Sequence, residues 1–303
     1  MKHAFYKLNT THKENKLNRF NSQKNEIMKY RYGINPKGLH AHLRHRIVNL
    51  KRTNLKSAIR FQEDVKPLSK VASKCLDAAS TLFTYNGASA LLGMRKVHLL
   101  DTDSARKVLL LKEDGERHNS LLDVGAGNGD VTDCLSGLFE GNVAAIEVSA
   151  SCRFALKRRR SISRVLKDMS ELDTKERFDV ISMLNVLDRC DCPKTMLHSA
   201  HTFVQKYLLV SAAYPWVPFS IESGDVLSKW RLGKTKRTFF NDQDLVDASS
   251  FEEFINRCET HLFSDTSFEI ESISRVPYLC QGTVEVHPEP YELDCALFVL
   301  RRR

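Results

Sequence analysis

Three glycines follow an aspartate within one short run, Asp123-Val124-Gly125-Ala126-Gly127-Asn128-Gly129. Apolar residues typical of a buried strand precede the run and a helical pattern follows it, so the backbone must turn sharply here. Open α/β sheets bind their ligands at this end of a strand, where small residues let the backbone approach a ligand closely. The pattern predicts a cofactor-binding loop.

The spacing of the glycines distinguishes between cofactors. A nicotinamide dinucleotide requires the pattern G-x-G-x-x-G with room for a pyrophosphate, and here the third glycine comes one residue too early. S-adenosylmethionine has no phosphate, and a short loop that presents amides and a carboxylate suits its amino-acid moiety. We therefore expect the loop to bind the methionine part of S-adenosylmethionine, through Asp123, Gly125, Ala126 and Gly127.

Further residues are predicted to complete the cofactor site. Glu147 ends the next predicted strand, where a carboxylate can accept hydrogen bonds from both ribose hydroxyls. Asp168 and Met169 follow the third strand, where a side chain and a backbone amide can meet the adenine. An exposed acidic loop is the alternative interpretation of these last two residues.

The segment after the fourth predicted strand carries the candidates for chemistry. Asn185 and Asp188 are three positions apart, so they share one face if the segment turns. A carboxylate that holds one N–H of a neutral imidazole fixes the tautomer and leaves the other nitrogen free to attack a methyl group. Such a transfer needs mainly in-line placement of the nucleophile, without a metal or a covalent intermediate. The alternative is that Asp188 caps the following helix.

Nearby cysteines and histidines are weaker candidates. No adjacent histidine or clear helix start activates Cys190 or Cys192 as a catalytic thiol. His198 and His201 follow Pro193 on a predicted helix and are interpreted as surface or packing residues. The eight cysteines are scattered without the paired spacing of zinc ligands, so no metal site is predicted.

The elements that must position these residues begin at Ser120, where short apolar runs alternate with helical segments, as in βαβ units. Candidate strands are Leu121–Val124, Val143–Glu147, Arg164–Lys167, Phe178–Leu184, Tyr207–Ala212, Phe268–Ser274 and Leu293–Leu300. Candidate helical segments are 43–59, 68–92, 102–112, 129–139, 150–160, 193–205 and 248–262. The predicted fold is α/β, a doubly wound, mostly parallel seven-stranded sheet of the class I S-adenosylmethionine-dependent methyltransferase type, with N-terminal helices.

Charge is unevenly distributed along the chain. The first 70 residues carry 17 Lys or Arg against 4 Asp or Glu, whereas the whole chain carries 46 against 37. Residues 1–66 are predicted to form a basic, loosely ordered arm and residues 67–303 the methyltransferase domain, with the cofactor-binding half at about 118–213. Because the rest of the chain lacks the basic excess of a nucleic-acid enzyme, a nucleic-acid partner is not expected.

The chain shows no stretch of the roughly eighteen apolar residues that a membrane span needs. Its first residues lack the apolar core of a signal peptide, so the sequence predicts a cytoplasmic location. Free thiols in a reducing compartment suit the scattered cysteines better than disulfides do.

Four blocks of the sequence resemble the DREV methyltransferase family: Leu122–Thr132, Phe178–Ser182, Asn185–Asp191 and Val276–Gly282. Many methyltransferases share the glycine block, but the third and fourth blocks together are distinctive. The resemblance runs from about Ser73 to Leu300. Two positions depart from the family pattern, since Asn128 stands where Asp is more common and Gln281 where Glu is.

The resemblance implies a protein-histidine methyltransferase that modifies the ring nitrogen nearest the main chain, in His-x-His segments of His-rich proteins with a small middle residue. It implies that Asn185, Asp188 and Tyr278 hold the substrate imidazole, with Arg189 beside them and Asn185 also bordering the cofactor. The implied cofactor residues agree with those above: Asp123, Gly125, Gly127 and Glu147. The family also suggests endomembrane or mitochondrial association as an alternative location.

The basic arm contains such a motif itself, His40-Ala41-His42, flanked by Gly38 and Arg44. This gives the hypothesis of self-methylation at His40 or His42. The sequence also leaves two other functions open. One is an RNA or small-molecule methyltransferase, which the lack of a basic core disfavours, and the other is a catalytically inactive methyltransferase fold that acts as an interaction module.

Overall fold

The computed structural model describes residues 30–80, 85–94, 96–111, 115–190, 192–216, 220–221, 237–238, 245, 247–282 and 290–303. Residues Tyr32–Arg303 form one compact unit, which contains all the elements given below. No helix within these ranges is both long and apolar enough to cross a membrane.

Eight described strands form one mixed sheet, and two others form a short ribbon. In chain order they are β1 Val97–His98, β2 Leu121–Val124, β3 Val143–Ile146, β4 Arg164–Leu166, β5 Phe178–Leu184, β6 Val204–Tyr214, β7 Ser220–Ile221, β8 Arg237–Thr238, β9 Phe268–Cys280 and β10 Tyr291–Arg302. The large sheet has the order β1-β9-β10-β6-β5-β2-β3-β4, and β7 pairs with β8.

The sheet confirms the predicted α/β fold. Strands β4, β3, β2, β5 and β6 pair in parallel, whereas β10, β9 and β1 continue the sheet through antiparallel pairings. The predicted count of seven strands was wrong for this sheet, because the two-residue strand β1 adds an eighth at its edge. A strand of two residues is too short to produce a periodic pattern, which explains why the sequence did not reveal it.

The described helices are shorter than the sequence pattern predicts. They are α1 Lys51–Asp64, α2 Lys70–Ala79, α3 Tyr85–Leu91, α4 Thr102–Val108, α5 Asp130–Ser136, α6 Ala150–Leu156, α7 Pro193–Phe203 and α8 Phe251–Arg257. The chain continues from α8 into one turn of π-helix, Cys258–Phe263. Side-chain caps set several of the starts, because an accepting oxygen pairs a backbone N–H that the first helical turn leaves without a partner. Ser149, for example, accepts from the N–H of Cys152 at the start of α6.

The core extends further toward the N-terminus than the boundary predicted at residue 66. Leu39 and Leu43 are buried, and the Tyr32 hydroxyl donates to Asn54 Oδ1 at 2.8 Å. The N–H of Val48 donates to the Ile273 carbonyl on β9 at 2.8 Å. Individual apolar side chains, spaced along the otherwise polar segment before residue 66, thus pack into the core of the domain. Composition and periodicity do not show such packing, because each contact is with a distant part of the chain.

The strand order places a topological switch beside β2. The chain passes from β2 through β3 to β4 on one side and then returns to β5 and β6 on the other. At such a point the connections leave in opposite directions, so a crevice opens at the carboxyl ends of the two strands. The loop after β2 and the segment after β5 border this crevice.

Candidate functional site

Two adjoining cavities lie at the switch point. The first, of about 320 Å³, is bordered by Asp123, Glu147 and Tyr278 among others. The second, of about 560 Å³, lies on the side of Asp168 and Met169. Four residues border both cavities: Gly125, Glu147, Asn185 and Arg189. The predicted cofactor and acceptor residues, with the exception of Asp188, therefore meet at one site.

The loop after β2 can adopt its course only with glycine at its first turn. Gly125 has a φ of +74°, and a Cβ added there would lie 2.5 Å from Cγ2 of Val186. Gly127 also has a positive φ, of +58°, but a Cβ there would meet nothing within 4 Å. Gly125 thus serves both the backbone conformation and the close approach of the segment after β5, whereas Gly127 serves the conformation alone.

The loop amides contact the protein itself, which corrects the expectation that they face the cofactor. The N–H groups of Gly125 and Ala126 donate to the Ile146 carbonyl at 2.8 and 3.1 Å. The N–H of Gly127 donates to Glu147 Oε2 at 2.9 Å. The N–H groups of Gly125, Ala126 and Gly127 are therefore paired within the protein, and the carboxyl groups beside the loop that border the first cavity are those of Asp123 and Glu147.

Asp123 is a buried carboxyl group at the end of β2. Its oxygens accept hydrogen bonds from Thr132 Oγ1 at 2.5 Å and Ser182 Oγ at 2.7 Å. Burial raises the pKa of Asp123 to about 6, the two hydroxyls oppose that rise, and the nearby charge of Glu147 adds to it. A cation in the cavity would stabilise the ionised form of Asp123 and would itself be bound more tightly by it.

Glu147 follows β3, next to the glycine loop. Its Oε1 accepts from the Ser149 N–H at 2.8 Å, while its Oε2 accepts from Gly127. Each carboxylate oxygen has a second lone pair, so the side chain can still accept hydrogen bonds from a bound ligand. The two backbone donors hold the carboxylate in place.

Asn185 is the first residue after β5 and has a left-handed backbone, with a φ of +56°. Asn tolerates this region better than most residues other than glycine. Its N–H donates to Ser211 Oγ at 2.7 Å, and the Ser211 hydroxyl donates to Asn185 Oδ1 at 3.1 Å. Asn185 thus lies where the sequence predicts, at the meeting point of the two cavities.

Asp188 does not border the cavities, although the sequence predicts that it contacts the substrate. It is buried on the single 3-10 turn Leu187–Arg189, and it is not among the residues that border either cavity. Its Oδ2 accepts a hydrogen bond from Arg189 Nε at 3.0 Å. Arg189 borders both cavities, so Asp188 contacts a residue of the site without bordering a cavity itself. Asp191 lies outside the described residues.

Tyr278 of β9 borders the first cavity as expected, and so does Gln281, which the sequence analysis names only as a departure from the family pattern. The same wall contains four residues that the sequence did not single out: Ser89, Ala90, Met94 and Lys96. The side chain of Gln281 bridges two chain segments at this wall, accepting from the Lys96 N–H at 3.1 Å and donating to the Lys66 carbonyl at 2.6 Å. Ser211 could have been noticed as a polar residue within an apolar strand, whereas the segment of Ser89 and Met94 carried no such signal.

Asp168 and Met169 border the second cavity, as the adenine assignment requires. Asp168 Oδ1 accepts from the Ser170 N–H at 2.8 Å, and hydrogen bonds from Ser170 lower the pKa of this carboxyl. Cys190 and Cys192 border the same cavity.

The four histidines that the sequence analysis names do not border either of the two cavities. His198 is exposed and His201 packs edge-to-face against Phe268, with ring centroids 5.5 Å apart, so the interpretation as surface and packing residues is confirmed. His40 and His42 both contact the carboxylate of Glu259, with 2.8 Å between His40 Nδ1 and Glu259 Oε2. Within the described ranges, no cluster of three or more His, Cys, Asp or Glu could hold a metal ion.

A family model described as DREV methyltransferase matches residues 45–302, which is most of the chain. The match begins well before the boundary at residue 67 predicted for the domain. It includes the glycine loop, Glu147, the segment after β5 and Tyr278.

Several solved structures are also similar. The N-methyltransferase NodS from Bradyrhizobium japonicum with S-adenosyl-L-homocysteine is 18% identical over 66% of this chain and 86% of that one, with a TM-score of 0.37. A putative RNA methyltransferase from Pyrococcus horikoshii is 13% identical over 76% and 96%, with a TM-score of 0.42. Magnesium protoporphyrin IX methyltransferase from Synechocystis with S-adenosyl-L-homocysteine is 15% identical over 67% and 81%, with a TM-score of 0.40. All three TM-scores lie below 0.5, so only the family match bears on function.

Proposed function

The chain belongs to the DREV methyltransferase family, and on that premise we propose that it methylates histidine in proteins. The methyl donor is S-adenosylmethionine, and the acceptor is the ring nitrogen nearest the main chain in His-x-His segments with a small middle residue. The observation that carries the proposal is that Asn185 and Tyr278, from the two blocks distinctive of the family, border the same cavity as Asp123 and Glu147.

The charges of the cavity support this methyl donor. S-adenosylmethionine carries a sulfonium and an ammonium group, and Asp123 and Glu147 provide two carboxylates for them and for the ribose. A dinucleotide is disfavoured, because its pyrophosphate needs free backbone donors at the glycine loop. The N–H groups of Gly125, Ala126 and Gly127 already donate to the protein.

The acceptor side supports an uncharged nucleophile. The donor supplies an electrophilic methyl group, and an imidazole nitrogen can attack it only while its lone pair is free. Arg189 borders the cavity, and a nearby cation disfavours a protonated imidazole. Asp188 holds the Arg189 guanidinium through Nε and limits its movement. The tyrosine ring of Tyr278 forms part of the wall against which a flat imidazole can lie.

The test is methyl transfer to a panel of peptides that contain His-Ala-His, Ala-Ala-His or His-Ala-Ala, followed by mass-spectrometric location of the methyl group. We expect histidine methylation only in the intact motif, and at least a tenfold loss in Asp188→Ala, because Arg189 would lose its anchor. Glu140→Gln, which changes an exposed carboxylate before β3, serves as the control and should retain activity. Cofactor binding without any histidine methylation would contradict the proposal and favour an RNA or small-molecule acceptor.

Self-methylation, as part of the same proposal, takes place between two molecules. His40 and His42 border a groove that includes Phe268, at the start of β9, whereas Tyr278 lies near the end of that strand. Ten strand residues span roughly 30 Å at about 3.3 Å per residue. The motif of one chain is therefore too far from its own cavity while the segment stays docked.

A further inference from the structure

The contact between Asn185 and Ser211 closes a ring of two hydrogen bonds. Ser211 lies on β6 and is 1% exposed, and its Oγ accepts from the Asn185 N–H at 2.7 Å. The same hydroxyl lies 3.1 Å from Asn185 Oδ1. The hydroxyl accepts through a lone pair and can donate its single proton to Asn185 Oδ1.

A second donor lies beside the same amide oxygen. Cys295 of β10 is fully buried, and its Sγ is 4.0 Å from Asn185 Oδ1 and 3.7 Å from the Ala296 carbonyl. Burial raises the pKa of this thiol to about 12, so it keeps its proton and remains a weak S–H donor at neutral pH. The Ser211 hydroxyl holds the amide oxygen toward the protein and so leaves the nitrogen for the cavities, and the thiol adds a weak contact that it shares with the Ala296 carbonyl.

The amide oxygen of Asn185 is directed to Ser211, which leaves the amide nitrogen on the other side of the group. Asn185 borders both cavities, and no residue in the described part of the chain accepts a hydrogen bond from its Nδ2. A donor that is held in place but unused at the junction of two cavities matches an oxygen atom of a ligand.

We propose that Ser211 and Cys295 are positioning residues that make Asn185 a hydrogen-bond donor to an oxygen atom of the bound ligand. Asn185 then does not accept the N–H of a substrate imidazole, in contrast to the role suggested by its spacing from Asp188. The oxygen is either the carboxylate of the methyl donor or a backbone carbonyl of the acceptor peptide, and only the second source rests on the function proposed above.

The experiment compares Ser211→Ala with Ser274→Ala, a matched loss of a buried strand hydroxyl, since Ser274 Oγ donates to the Val48 carbonyl away from the site. We expect Ser211→Ala, at similar thermal stability, to weaken binding by about tenfold. A weaker Kd for S-adenosylmethionine identifies the methyl donor as the ligand, and a raised KM for the His-Ala-His peptide alone identifies the peptide. Unchanged Kd, KM and kcat in Ser211→Ala would overturn the proposal.

The variant Asn185→Asp tests whether the side chain acts as a hydrogen-bond donor, because it keeps the size of the side chain but replaces the NH₂ group by an oxygen that only accepts. We expect Asn185→Asp to bind as weakly as Asn185→Gly, which keeps the left-handed backbone without a side chain. Wild-type affinity in Asn185→Asp would contradict a donor role. Cys295→Ser keeps a donor and should bind as the wild type does, while Cys295→Ala should bind more weakly.

A measurement made without a methyl-acceptor peptide distinguishes a failure of this proposal from a failure of the proposed function. In ¹⁵N NMR spectra, the side-chain amide of Asn185 should shift when S-adenosyl-L-homocysteine is added if the donor meets the cofactor carboxylate. The chemical shift and the Kd values would still support the positioning role if histidine peptides were not methylated. Only the proposed function would then fail. Histidine methylation with no effect of Ser211→Ala would instead remove only the positioning role.

Discussion

The N–H of Gly127 donates to Glu147 Oε2 across 2.9 Å, so the loop after β2 and the carboxylate after β3 form one hydrogen-bonded unit. Ser149 binds the other oxygen at 2.8 Å and closes the unit at the start of α6. The carboxylate that faces the cofactor cavity is therefore also a structural part of the glycine loop.

Replacement of Glu147 should affect stability and binding together. Glu147→Gln leaves one of the two backbone donors opposite an amide N–H, and an unpaired buried donor costs about 1–3 kcal/mol. We expect a lower free energy of unfolding in urea and a cofactor affinity reduced by about tenfold in calorimetry. Glu140→Gln is the control for the loss of one carboxylate. A change in affinity without any change in stability would show that the loop does not depend on this bond.

The two glycines of the loop should differ in their tolerance of alanine. Gly125→Ala adds a Cβ 2.5 Å from Val186 Cγ2 at a positive φ, whereas Gly127→Ala meets no atom within 4 Å. We expect Gly127→Ala to cost about 1–2 kcal/mol from backbone strain and Gly125→Ala to cost more and to abolish cofactor binding. The double change Gly125→Ala with Val186→Ala should recover part of the loss. Equal stabilities of the two single variants would refute the role of the Val186 contact.

Cofactor affinity should depend on pH through Asp123. Its pKa is raised from 3.8 to about 6 by burial, so the folded protein holds this proton more tightly than the unfolded chain does. The free energy of unfolding contributed by Asp123 therefore falls as pH rises from about 4 to about 6. Ionised Asp123 binds a cation better, so affinity for S-adenosylmethionine should rise by about tenfold between pH 5 and pH 7. Calorimetry on the wild type and Asp123→Asn checks this, since the variant should lose that pH dependence.

Self-methylation should occur only between molecules. A Gly125→Ala chain, which is expected not to bind the cofactor, should gain a methyl group at His40 or His42 when it carries a mass tag and is mixed with active enzyme. The active enzyme alone should show an initial rate per molecule that rises with its concentration. A rate per molecule that is independent of concentration, or equal methyl uptake by the His40→Ala, His42→Ala variant, would rule the hypothesis out.

Much of the site followed from local sequence and one rule of topology. The glycine run and Glu147 end consecutive parallel strands, and carboxyl ends of adjacent parallel strands meet at one edge of a sheet. The fold itself followed from the alternation of apolar runs and helical segments. Tyr278 is distant in the chain, and the family resemblance supplied it where spacing could not.

Other features depended on contacts that no local pattern records. The docking of residues 32–66 onto β9 and the hydrogen bonds of Ser211 and Cys295 to Asn185 join parts of the chain separated by long loops. Asp188 was expected to face the acceptor, but the structure buries it behind Arg189. The sequence determined the fold class, the cofactor loop and its carboxylates, because periodicity and turn residues act over short distances. The tertiary structure decided which polar atoms are already paired and which face the cavity, because hydrogen-bond partners are set by packing between distant strands.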